Sequence, residues 1–301
     1  VPEQVPAFQI ALSEVGILGK TVWVALPEGR LPFEAEVYVD LPGHVRGIHM
    51  SRIEEAVTDL FTRGFADLRQ YAAELAARVL SRQKGETARV SLKGKVPVLR
   101  PGQVTAFRSA DGIEISAEAR ARRSAGHAPE VALSIGVRLA HITACPCTQG
   151  YYRVLASPAE RGFPLPTHSQ RAVTALVVDD TRGAPAYVEL LHCLERALHV
   201  SRDLLKRPDE AEMVLRAHRI PQFAEDAARE TARAVGELLG NRLPESTSVS
   251  IQSLSYESIH TRDVGCVMRT TIGEILRRLG RGSGRKGDRR GGGRGLSSAV
   301  S

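Results

Sequence analysis

No apolar run in this 301-residue chain approaches the ~18 residues that a bilayer-spanning helix needs. A helical membrane protein is therefore not expected. The first twenty residues hold Glu3 and Glu14 and no basic n-region, so no signal peptide is expected and the cytoplasm is the expected location. Cysteine is scarce, with four in all. Cys145 and Cys147 flank Pro146, too close for an ordinary disulfide, and the spacing is not the C-x-x-C of zinc ribbons or thioredoxin-like sites. In a reducing compartment these are thiols. There is no G-x-x-x-x-G-K-[ST] loop, no dinucleotide fingerprint, no H-E-x-x-H and no G-x-S-x-G elbow. The usual routes to P-loop, Rossmann, zincin and serine-hydrolase chemistry are closed.

What is present suffices for a folded enzyme. Hydrophobic residues make up 43% of the chain, ample for a core. The formal net charge is +7, and its location matters more than its size. Residues 277–301 carry eight basic side chains against Asp288 alone, so residues 1–276 are balanced at 33 of each sign. The body is neutral. The excess lies in a Gly/Arg-rich tail that has no apolar periodicity and is expected to be disordered. A nucleic-acid partner is not expected of a neutral body and would have to be recruited by that tail.

Hydrophobic patterning predicts strands at 20–26 and 34–41, then one long helix from Ser51 to about Arg82 with Glu54 completing a capping box. Strands are predicted at 88–92, 113–117 and 131–143, the last running into Cys145-Pro146-Cys147, and a turn-rich stretch at 157–167 contains three prolines. The second half reads as a strand at 172–178, a helix from Pro185 to about Leu205 and a break with a short helical restart at 206–210. A helix at 222–239, strands at 248–256 and 264–268 and a short final helix to Leu279 follow. Each half thus runs strands, helix, strands. The expected fold class is α+β: two tandem modules, 1–150 and 151–279, each an antiparallel sheet with helices on one face, followed by the tail at 280–301.

Several clusters have two readings. Cys145 and Cys147 at a strand end are either metal-binding or reactive thiols, or small buried hydrophobes. His168, between a proline-rich loop and a strand, is a site wall or an exposed loop residue. His192, Glu195 and His199 share a helix, as a metal pair or as a polar face. Lys206-Arg207-Pro208-Asp209-Glu210 is a charged turn whose acids suit a helix N-terminus, or a phosphate-binding cation pair beside a carboxylate. His260, after Glu257, is a ligand, a general acid/base or part of a surface turn.

In order along the chain stand Arg46-Gly47-Ile48-His49-Met50-Ser51-Arg52, Thr143-Ala144-Cys145-Pro146-Cys147 and Thr167-His168-Ser169-Gln170-Arg171. Leu204-Leu205-Lys206-Arg207-Pro208-Asp209-Glu210, Pro221-Gln222-Phe223-Ala224-Glu225-Asp226 and Glu257-Ser258-Ile259-His260 follow. Together these six segments resemble GTP cyclohydrolase of type IB, a tunnelling-fold family. The resemblance runs from near the N-terminus to about Leu279 and leaves out the tail.

The resemblance implies one divalent metal, Zn, Fe(II) or Mn, held by Cys145, His168 and Glu210. His260 is implied as a further ligand or acid/base, with Cys147 beside it as a catalytic group. It places Glu225 on the guanine edge, and Lys206, Arg207 and Arg171 are the cations nearest by motif for the triphosphate. It gives no role to His192 and Glu195. The implied reaction opens the guanine imidazole ring with water, yielding 7,8-dihydroneopterin triphosphate and formate for folate-type pterin synthesis. Archaeal-type relatives resemble the chain too and give a cyclic phosphate. These residue types suit such chemistry. A bound divalent cation acidifies water, His260 and Cys147 move protons, and Glu225 accepts two hydrogen bonds from guanine N–H groups. The implied assembly is a homotetramer with active sites at subunit interfaces. This chain departs from the pattern in a 23-residue spacing from Cys145 to His168, in Ser169 where the family has Asn, and in Thr261 where a second His is usual. Two rival expectations remain: a purine- or pterin-binding tunnelling-fold protein with other chemistry, and an RNA-binding protein led by its tail.

Overall fold

A computed structural model describes residues 2–155, 163–180 and 183–280. The predicted tail beyond Gly280 and part of the proline-rich stretch lie outside the described residues. Strands β1 (Leu12–Leu26), β2 (Gly29–Leu41), β3 (Thr87–Pro101), β4 (Arg108–Ser124), β5 (His127–Ala144), β6 (Ser169–Asp179), β7 (His199–Val200), β8 (Ser248–Ser255) and β9 (Val264–Thr271) form one antiparallel sheet. Its order is β1-β2-β3-β4-β5-β6-β8-β9, with the two-residue β7 also paired to β5. Helices α1 (Met50–Leu60), α2 (Leu68–Arg82), α3 (Pro146–Leu155), α4 (Tyr187–Ala197), α5 (Arg207–Arg219), α6 (Ala224–Leu239) and α7 (Ile272–Arg278) complete the described residues.

Period-2 alternation decides which face is covered. Val90, Leu92, Ile115, Ala117, Ile135, Val137, Leu176 and Ile251 point to one side and are buried under the helices in a single core. The opposite side of β1 to β5 carries charge. Arg89 bonds Glu14 at 2.7 Å, and Glu114 is 3.5 Å from Lys93 and 3.4 Å from Arg138. The sheet runs unbroken across the junction near residue 150, because β5 and β6 are neighbours paired from Ser134↔Asp179 to Ala144↔Ser169. α6 reaches α7 closely through Gly236, where a Cβ would lie 2.4 Å from the Ile275 side chain.

Several predicted elements differ: β1, β3 and β4 run well beyond their predicted bounds, α3 has no predicted counterpart, and two helices end early. The helix expected over 51–82 is two helices. The chain breaks after Phe61 so that Phe65 can bury itself edge-on against Tyr71 and donate its N–H to the Ala25 carbonyl (2.9 Å). Asp67 then caps α2 by accepting from the Gln70 N–H at 3.1 Å. Ser51 lies inside α1 rather than capping it, and the N-cap is His49. The helix expected to reach Leu205 ends at Ala197, because His199 and Val200 join the β5 edge. β5 ends at Ala144, and Pro146 takes the first position of α3, where its missing N–H costs nothing.

Candidate active site

Strand ends bring the first two candidates together. β5 stops at Ala144, paired with Ser169 at the start of β6. One residue beyond, the Cys145 N–H donates to the His168 carbonyl at 3.1 Å, and the Thr167 hydroxyl donates to the Cys145 carbonyl at 2.6 Å. Thiol and imidazole therefore belong to two chain segments that are hydrogen-bonded to each other. Thr148, in the first turn of α3, points its hydroxyl at Cys145 Sγ (3.6 Å). Cys147, the second residue of α3, is exposed.

His260 arrives from the loop after β8. Its ring lies perpendicular to that of His168, with 6.1 Å between centroids. The Glu257 N–H donates to Asp263 across this loop at 3.3 Å. Behind His168 runs a line of polar side chains. His168 Nδ1 is 3.0 Å from Gln170 Oε1, and Gln170 Nε2 donates to Glu257 Oε1 (3.0 Å) and Ser255 Oγ (3.2 Å). Ser255 is buried and in turn reaches Thr143. Gln170 and Glu257 stand within the sequence motifs, yet the motifs alone give them no role. A signal exists for Gln170, which stands two residues beyond His168 at the start of β6, where alternate residues of an extended chain face the same way.

α5 carries the next group. Buried Asp209 in its first turn accepts from the Val104 N–H at 2.7 Å, the Thr105 N–H at 3.2 Å and the Thr105 hydroxyl. These bonds hold its carboxyl below the usual carboxylate range, the Thr105 hydroxyl contributing most. Buried Gln149 of α3 donates to the carbonyls of Leu165 (3.1 Å) and His218 (2.7 Å), tying the far end of α5 to α3. Glu210 is exposed, 3.5 Å from Arg207, and lines an open groove with Phe163, Pro164, Val214 and His218. Lys206 stands at the N-cap position of α5 without a side-chain capping bond, its Nζ 5.2 Å from the centre of the Phe107 ring. Arg171 lies apart, in a cavity with Lys95, Arg138 and Arg202. Glu225 is exposed in the first turn of α6. Beside it, burial chiefly, and the Glu225 charge in addition, push the Cys266 thiol up.

Among the described residues, no group of three or more His, Cys, Asp or Glu side chains is placed to hold a metal ion. Cys145 adjoins His168 and His168 faces His260, while Glu210 and Glu225 belong to separate helices. Two further candidates, Glu195 of α4 and His199, which lies in β7 and not on the predicted helix, have ordinary partners. Glu195 accepts from Arg100, and His199 is buried with Nε2 2.8 Å from the Ile220 carbonyl.

The family model described as "Type I GTP cyclohydrolase folE2" matches residues 1–265, which include every candidate named above. The chain is a member of the GTP cyclohydrolase family. It is 33% identical over 299 positions to "GTP cyclohydrolase MptA 2" of Methanocella arvoryzae, covering 90% of this chain and 95% of the relative. It is 29% identical over 318 positions to "GTP cyclohydrolase MptA" of Methanoculleus marisnigri, covering 94% and 98%. Among solved structures, a uricase from Bacillus fastidious superposes with a TM-score of 0.53 at 8% identity, over 95% of this chain and 99% of that one. That likeness concerns the fold alone: this family member has the tunnelling fold, an antiparallel sheet with its helices on one face.

Proposed function

We propose that this family member is a metal-dependent GTP cyclohydrolase of the type IB kind. It opens the imidazole ring of guanine to give 7,8-dihydroneopterin triphosphate and formate, the first step of folate-type pterin synthesis. The observation that carries the reading is the family match across residues 1–265, which spans all six site-bearing segments. The hydrogen-bonded junction of Cys145 with His168 supports it locally.

The donor chemistry fits a divalent transition metal. A thiol and an imidazole stand on adjoining strand ends, and a thiolate, imidazole and carboxylate set suits Zn, Fe(II) or Mn. Cys145, His168 and Glu210 would hold the ion, with His260 as a further ligand or acid/base. When bound, such an ion supplies hydroxide near neutral pH by acidifying water. The remaining work falls to side chains. Glu225 accepts hydrogen bonds from the guanine N–H groups and fixes the base. Lys206, Arg207 and Arg171 bind the triphosphate. His260 and Cys147 carry protons to the opening ring and away with formate.

Among the described residues of one chain these groups do not come together as a set, so in this reading a second subunit completes the site. The proposed assembly is a homotetramer with active sites at the interfaces. No helix among the described residues is long and apolar enough to cross a membrane, and we place the enzyme in the cytoplasm. A second reading, the archaeal-type variant that ends in a dihydroneopterin cyclic phosphate, is raised by the MptA name that both relatives carry. Mass and phosphate analysis of the product separates the two.

The ligand assignment is tested by metal analysis and turnover together. Cys145→Ala and Glu210→Ala lose bound metal, and formate release from GTP falls by more than about 100-fold. Either variant keeping full metal and full rate contradicts the assignment.

A further inference from the structure

The line of polar side chains behind His168 fixes more than its position. Ser255 Oγ donates to Glu257 Oε1 at 3.0 Å, so its only proton is committed there. Its oxygen must then accept, and Gln170 Nε2 lies 3.2 Å away. The Glu257 carboxylate, 3.0 Å from the same nitrogen, is an acceptor as well. Both partners on this side of Gln170 therefore demand the amide NH2. A flipped amide would set a carbonyl oxygen against two acceptors, each contact repulsive in a part-buried setting. The Gln170 carbonyl is thereby turned toward His168, at 3.0 Å from Nδ1. A carbonyl cannot donate, so this contact, the shortest at Nδ1, places the proton of the neutral imidazole on Nδ1; the Ser258 hydroxyl, 3.5 Å from both Nδ1 and Gln170 Oε1, has the same carbonyl to donate to. The lone pair is left on Nε2.

We propose that Glu257 and Gln170 act in series as positioning residues that hold His168 in its Nδ1–H tautomer and keep Nε2 available as the donor nitrogen. The inference rests on His168 being a ligand, as put forward under Proposed function, and adds what prepares it. Free imidazole side chains sample both tautomers, and binding through Nε2 requires only one. Fixing that tautomer before the ion arrives removes part of the cost of binding. It also explains why a carboxylate, Glu257, stands two contacts away from the imidazole rather than against it. Its role is to orient the amide.

The test uses the full chain, metal-free, with 15N-labelled histidine in mildly alkaline buffer, where histidine rings are ordinarily neutral. Long-range proton–nitrogen spectra read the tautomer directly, and zinc titration reads affinity. The wild type shows His168 with a protonated Nδ1. Gln170→Leu removes the acceptor, so Nε2–H becomes populated and zinc affinity falls by about 10- to 100-fold. Glu257→Leu moves both readouts the same way, because the amide is then free to flip. Glu257→Gln restores both, since two converging donors select its carbonyl oxygen. Circular dichroism confirms that each variant is folded. A wild-type His168 protonated on Nε2, or a Gln170→Leu protein that keeps the Nδ1–H form, overturns the proposal. His168→Ala separates this from the ligand assignment. If it binds zinc as tightly as wild type while Gln170→Leu still shifts the tautomer, the relay stands and the ligand role falls.

Discussion

His141 is the residue whose burial dictates a response to acid. Its side chain is fully enclosed, Nε2 lies 2.8 Å from the Thr174 hydroxyl, and that hydroxyl donates to Ser253 at 2.9 Å. Burial, with a smaller contribution from His199, lowers its pKa from 6.5 to about 4. In the unfolded chain the ring protonates near the ordinary value. Between about pH 6.5 and 4 the unfolded state therefore binds a proton that the folded state refuses, and stability falls as pH falls. The contribution is on the order of 3 kcal/mol across that window. His199, also lowered by burial, adds in the same direction. The urea midpoint should drop between pH 7 and 4.5, and His141→Gln should flatten that drop. An unchanged slope in the variant contradicts this account. The same residue scale shows where sequence stops short. His168 and Cys145 are legible as candidates because their types are rare and sit at motif positions. The hydrogen bond that joins them and the partners that orient His168 come from strand register, which no local pattern displays.

At the scale of elements, α5 is held by its first turn. Asp209 fastens the helix N-terminus to the loop between β3 and β4 through Val104 and Thr105, and a Cβ at Gly102 would lie 2.7 Å from the carboxylate. Sequence leaves 206–210 open between a charged turn and a site. The structure gives Asp209 the first role and leaves Glu210, its neighbour, exposed. Asp209→Ala should lower the melting temperature by a few degrees and speed amide exchange through 102–106 and the first turn of α5. Unchanged exchange there would contradict the clamp. Element types are legible wherever periodicity is sustained, as in β4 and α6. Breaks are not, because they answer to distant partners. The interruption at 61–67 serves Phe65 packing and a bond to β1, and the early end of α4 serves the edge of β5.

At the scale of the molecule, the sheet joins both halves of the chain through β5 and β6, with helices on one face and paired charges along β1 to β5 on the other. The antiparallel α+β class follows from the order of elements. The unbroken sheet does not, since pairing across the junction depends on register rather than on local sequence. The charge balance sharpens the partner question. Residues 1–276 are neutral, so the proposed polyanion is one triphosphate met by placed cations, and the basic excess at 277–301 is not required for it. Removing residues 281–301 should leave kcat and KM for GTP within about twofold, because the site-bearing segments all precede them. Loss of activity on that truncation would shift the account toward the tail.

The proposed reaction removes the carbon between the two imidazole nitrogens of guanine. The most direct measurement follows that atom, using GTP labelled at the imidazole carbon with Zn(II), Fe(II) or Mn(II) supplied in turn. The label should leave as formate, one per GTP consumed, with a pterin formed in step. Label retained in the nucleotide with all three metals would contradict it.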